Sequence, residues 1–99
     1  MLESKIEKKL VSVIRKHGGR CLKWVSPGNA GVPDRIVMMP HGKLYFVELK
    51  APGEKPRPLQ VAVHEEFAVM GFKVEVIDTL EGVEALVRRL DEEQHSYGI

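Results

Sequence analysis

Apolar residues at Leu2, Ile6, Leu10, Val13 and Ile14 recur at the three- and four-residue spacing that lays one helix face on a core, and Gly18-Gly19 end the run. The spacing predicts a first helix from Leu2 to about His17. Arg20 to Val25 alternates, with Leu22 and Trp24 on one side and Cys21, Lys23 and Val25 on the other, as in a short strand. Ser26 to Pro33 is then a stretch of turn formers and small residues, a loop that lets something approach the backbone closely. Asp34 to Met39 reads as a second strand whose apolar run predicts burial on both faces. Pro40 to Lys43 turns the chain into a third strand, Leu44 to Lys50, and the two strands pair as a hairpin. Three prolines between Ala51 and Pro58 make a stiff connector into a helix from about Leu59 to Met70, with Pro58 suited to its first turn and Gly71 to its end. Lys73 to Ile77 is a fourth strand. Asp78-Thr79-Leu80-Glu81 resembles a capping box before a last helix carrying Val83, Leu86, Val87 and Leu90 on one face, and Asp91 to Ile99 reads as a frayed tail.

The predicted order is α-β-β-β-α-β-α, an α/β arrangement with a small mixed sheet flanked by helices. Ninety-nine residues, 43% apolar and 29% charged, fit one soluble domain over residues 1–99. Fifteen Lys and Arg against fourteen Asp and Glu leave a net charge of +1, so contact with nucleic acid has to come from a local basic patch. The single cysteine, Cys21, forms no internal disulfide or Cys-based zinc site and has no local partner that suggests a nucleophile. With no signal-peptide pattern or membrane span, a cytoplasmic setting is the expectation, and no membrane partner.

The chemistry gathers at the hairpin. Strand alternation puts Leu44, Phe46, Glu48 and Lys50 on one face of the third strand, and Asp34 opens the neighbouring strand directly after the loop. Pairing of the two strands brings Asp34 towards Glu48. Two carboxylates close together suit Mg²⁺ or Mn²⁺, with water and a substrate phosphate completing the shell. A lysine beside that centre orients or helps deprotonate an attacking water and stabilises charge on a phosphate. Lys55 and Arg57 lie on the stiff connector just beyond Lys50, where phosphate would pass. Ser26, Gly28, Asn29, Gly31 and Arg35 are the further candidates for substrate contact.

Pro33-Asp34, thirteen intervening residues and then Glu48-Leu49-Lys50 resemble the active-site motif of the PD-(D/E)xK nuclease superfamily. More narrowly, Ser26-Pro-Gly-Asn-Ala-Gly-Val-Pro-Asp-Arg35, Tyr45-Phe-Val-Glu-Leu-Lys-Ala-Pro-Gly53 and Pro56-Arg-Pro-Leu-Gln60 are similar to the VRR-NUC family, in its minimal stand-alone phage and bacterial form. The resemblance covers about residues 3 to 90. It implies a restriction-endonuclease-like core and Mg²⁺- or Mn²⁺-dependent phosphodiester hydrolysis, with no organic cofactor. It further implies a homodimer cutting branched DNA such as four-way junctions, in a bacterial cell or phage-infected host. By the same resemblance Asp34 and Glu48 are metal ligands, the Leu49 carbonyl completes the site, Lys50 is the catalytic lysine and Gln60 stands near it.

Helix one supplies an additional acid in many relatives. Glu7 is the first choice for that role, at a spacing before Gly18 similar to that in archaeal junction resolvases. Glu3 shares its face and is the second choice, grouped with the substrate-facing residues. Against this, Ser4-Lys5-Ile6-Glu7 also reads as a capping box in which Glu7 merely bonds back to the backbone. Without that resemblance Glu48 and Lys50 would read as an exposed strand-end pair, and Asp34 after Val32-Pro33 could equally be a turn residue. Trp24 reads as core, and His17, His41, His64 and His95 as surface or partly buried histidines without zinc spacing. The competing functions are a flap or single-strand nuclease, and a catalytically silent nucleic-acid-binding module.

Overall fold

In the computed structural model, residues 2–95 are described. Among them the chain forms α1 (Glu3–Lys16), β1 (Arg20–Lys23), β2 (Arg35–Met39), β3 (Lys43–Leu49), α2 (Pro58–Val69), β4 (Val74–Ile77) and α3 (Leu80–His95), in the order the periodicity predicts. The sheet runs β1-β2-β3-β4, antiparallel across its first two pairings and parallel between β3 and β4. That parallel pairing requires a crossover, which the connector and α2 supply.

One face of the sheet carries the core. Ile6, Leu10 and Ile14, spaced four apart on α1, pack with Val83, Leu86, Val87 and Leu90 of α3 over Cys21, Val37, Met39, Val47, Leu49 and Ile77. Burial pushes the Cys21 thiol up to about 11, which favours the neutral thiol over the thiolate. On the opposite face α2 lays Phe67 against Trp24 and Phe46, with ring centroids 6.1 and 5.2 Å apart. Trp24 is thus packed, as its alternation predicts.

Four expectations are corrected. β2 is not buried on both faces: Val37 and Met39 enter the core, whereas Met38 is exposed, because α2 covers the second face only in part. The last helix does not fray from Asp91. It continues to His95, tied down by His17 Nδ1 to Asp91 at 2.7 Å, Tyr45 to Glu93, and Gln94 Nε2 to the Pro40 carbonyl at 3.2 Å. Residues 96–99 of the expected tail lie outside the described residues. At the start of α3 the cap is Thr79, whose Oγ1 accepts from Gly82 N, while Asp78 accepts from Gly53 N in the connector.

Ser4 does not cap α1 either. The N-cap is Leu2, without a side-chain bond, so Ser4 lies inside the helix and Glu7 is released for a different partner. No described helix is long and apolar enough to cross a membrane.

Candidate active site

The β2–β3 register pairs Arg35 with Val47, so one further step places Asp34 opposite Glu48. The loop from β1 is pinned at this point by Trp24 N donating to the Asp34 carbonyl at 2.8 Å, and Pro33 is buried beside it. Asp34 Oδ2 accepts from Leu49 N at 2.9 Å, fixing one oxygen against β3. Lys50 N donates to the Ile77 carbonyl at 2.9 Å, so the end of β3 is also held by β4.

Glu48 is 1% exposed, and its Oε2 faces Lys50 Nζ at 3.5 Å. Gln60, buried on the first turn of α2, donates from Nε2 to the same oxygen at 2.9 Å and accepts at Oε1 from Arg57 N at 2.9 Å. The amide therefore ties the helix start to the carboxylate. Burial, and next the charge of Asp34, push the Glu48 carboxyl up to about 7 against the opposing pull of Lys50. His64, one helical turn after Gln60, brings Nε2 to 3.7 Å from Glu48 Oε1, and burial holds the imidazole below its ordinary value.

Asp34, Glu48, Leu49, Lys50 and Gln60 are thus brought together. The helix-one acids divide. Glu7 Oε2 lies 3.2 Å from the Arg35 guanidinium, which is itself only 12% exposed and so turned onto Glu7 rather than towards solvent. Glu3, in contrast, is pushed up by burial and next by Asp34, and pulled down by Lys50, so its carboxyl lies in the field of the site.

The loop residues also separate. Asn29 Nδ2 is spent on Ser26 Oγ and the Pro27 carbonyl, at 3.1 and 3.3 Å. A side chain at Gly31 would meet Val63 Cγ2 and the Leu59 carbonyl at 3.0 and 3.1 Å, so this glycine lets the loop lie on α2. Gly28, at φ +80, has nothing within 4 Å of where a side chain would start, leaving its backbone open to a ligand. Lys55 and Arg57 are exposed on the connector.

Among the described residues no three His, Cys, Asp or Glu side chains form a ready-made metal cage. The donor chemistry nevertheless fits a hard divalent cation. Glu48 Oε1 is buried with no hydrogen-bond partner, next to a second carboxylate, and a hard cation is a group that would serve both carboxylates. His64 is the residue sequence reading leaves out. The available signal is its four-residue spacing from Gln60, which places both on one helix face.

No protein-family model matches the chain. The chain is 54% identical over 77 residues to "Putative nuclease p44" of Acyrthosiphon pisum secondary endosymbiont phage 1, covering 78% of this chain and 83% of that protein. A solved structure described as a VRR_NUC domain matches with a TM-score of 0.81 and 32% identity, over 87% of this chain and 94% of that one. A second, a VRR_NUC domain protein, shares the fold with a TM-score of 0.66 and 19% identity, over 89% and 86% of the two chains.

Proposed function

The chain belongs to the VRR-NUC nuclease family, and from that premise we propose that it is a divalent-metal-dependent endonuclease that hydrolyses phosphodiester bonds in branched DNA. The observation that carries the metal-dependent part is the buried Glu48 carboxylate facing Asp34, with one oxygen accepting no hydrogen bond and Lys50 alongside. Asp34 and Glu48 would hold Mg²⁺ or Mn²⁺, with the Leu49 carbonyl as the third protein donor that the family resemblance implies. Held there, such an ion would supply Lewis acidity at the scissile phosphate.

The chain's own residues do the remainder. Gln60 orients Glu48 through the 2.9 Å bond. Lys50 places an ammonium where it orients an attacking water and offsets negative charge developing on the phosphate. Glu3, in the electrostatic field of Asp34 and Lys50, is better placed than Glu7 to act as the additional acid. Lys55 and Arg57 offer exposed cations to the DNA backbone, and Gly28 offers unobstructed main chain. Ser26, Asn29 and Gly31 shape the loop that presents it.

One such site cuts one strand, so symmetric incision of a four-way junction needs a two-fold dimer. The character of α2 supports that reading. The helix is rich in apolar residues yet fully buries only Gln60 among the described residues, leaving Leu59, Val61 and Val69 exposed, with Met70 and Phe72 following. An apolar helix in water needs a cover, and a second copy of the chain supplies one.

The test is incubation of the chain with end-labelled four-way-junction, flap, single-stranded and linear duplex DNA in Mg²⁺, Mn²⁺ or EDTA, beside Asp34→Ala and Lys50→Ala. Metal-dependent paired nicks across the junction, absent from both variants, are expected. Cutting of flaps or single strands alone would keep the chemistry and discard the junction role. No cleavage with junction binding intact would leave a silent binding module.

A further inference from the structure

The mechanism above makes no use of His64, yet its ring is 12% exposed and pressed against the centre of the site. An ionised carboxylate accepts about four hydrogen bonds. Gln60 and Lys50 both address Oε2 of Glu48. Oε1 is buried and without a hydrogen-bond partner, and so is His64 Nε2, 3.7 Å away. One atom is an acceptor and the other donates in one imidazole tautomer. A buried polar atom left unpaired is costly, so two of them facing each other mark a contact the site uses.

The helix explains how they meet. Gln60 and His64 are one turn apart on α2, so a single helix face addresses Glu48 with two side chains, one at each oxygen. The last torsion of a glutamate is broad and roughly two-fold, so a carboxylate held at one oxygen alone can still swing. Held at both, it cannot.

We propose that His64 is a positioning residue: Nε2–H donates to Glu48 Oε1 and, opposite Gln60 on Oε2, sets the carboxylate plane so that the remaining lone pair of Oε1 is presented to the divalent cation. A closure of about half an ångström brings the pair within hydrogen-bond range. The inference rests on the metal-dependent reading of the site. A histidine that merely filled space would affect melting but not metal affinity.

The experiment is Mn²⁺ titration calorimetry on the full chain, with His64→Met, which keeps bulk without a donor, and His64→Gln, which restores an N–H at similar reach. Asp34→Ala serves as the blank, and melting in EDTA reports folding of each variant. His64→Met is expected to bind Mn²⁺ about 10- to 100-fold more weakly, the usual effect of removing a hydrogen bond to a ligating group, and His64→Gln to recover most of that loss. Cleavage should follow, with a higher Mn²⁺ concentration for half-maximal rate and a nearly unchanged rate at saturating metal. Parent-like affinity in His64→Met, while Asp34→Ala binds nothing, would overturn the role of His64 alone. An equal loss in both His64 variants would overturn the hydrogen-bonding role. Absence of any Mn²⁺ heat from the parent would overturn the metal reading itself, and this inference with it.

Discussion

Glu48 sits almost wholly out of water beside Asp34, a placement that costs folding free energy unless positive charge faces it, and Lys50 at 3.5 Å offsets only part of that cost. Replacing Glu48 with Gln keeps the shape and removes the charge. In EDTA at pH 8, urea unfolding of Glu48→Gln is expected to show a gain of about 1–2 kcal/mol over the parent, with Mn²⁺ heat and cleavage both lost. An unchanged or lowered stability would mean that Lys50, Gln60 and His64 already compensate the buried charge. At this scale Asp34, Glu48 and Lys50 are legible in the chain because strand alternation and a hairpin bring them together locally. Glu7 and His64 are less so. The salt bridge that occupies Glu7 depends on Arg35 across the core, and His64 acquires a role only because α2 folds back over β3.

The junctions between elements show where close approach decides the outcome. A side chain at Gly19, between α1 and β1, would stand 2.5 Å from the Met38 carbonyl and 2.6 Å from Met39 Sδ. Because the nearest obstacle is backbone, Gly19→Ala is expected to destabilise the chain by about 1–3 kcal/mol in urea unfolding, whereas Gly42→Ala, with open space but a φ of +71, pays for backbone strain alone. β4 and α3 are linked by Arg89 Nη1 to Glu75 Oε1 at 2.8 Å. Burial pushes the Glu75 carboxyl up, but the hydrogen bond and charge of Arg89, with Lys73 beside it, outweigh burial and hold it below its ordinary 4.5. Since the folded value lies below the unfolded one, the stabilisation is present above about pH 4.5 and disappears as pH falls through the folded value. Stability curves of the parent and Glu75→Gln, measured from pH 7 down to 3, should therefore converge at the acid end. Arg89 is half exposed, so the gap at neutral pH should stay below about 1 kcal/mol. A gap independent of pH would rule out this assignment. Element order and type are readable from periodicity, but the end of α3 is not: Asp91 to His95 carry little apolar pattern and are held by His17, Tyr45 and Pro40 from elsewhere in the chain.

For the whole molecule, the sheet has one face closed by α1 and α3 and the other only partly covered by α2, where Val69 is 89% and Met70 60% exposed. If a second copy covers this side, light scattering will give a mass near twice 11.1 kDa, and Val69→Glu with Met70→Glu will return it to one chain length while Mn²⁺ binding survives. A mass near 11.1 kDa with and without junction DNA would remove the dimer. The sequence by itself determined the order of helices and strands, the loop before Asp34 and the acidic pair with its lysine, because each follows from spacing along the chain and from the pairing of adjacent strands. Only the tertiary structure decided which face of the sheet is left open, which helix-one acid stands in the field of the site, and that Gln60 and His64 address opposite oxygens of Glu48. Those outcomes depend on how α1 and α2 pack against opposite faces of the sheet, and packing brings together residues whose separation in the chain carries no pattern.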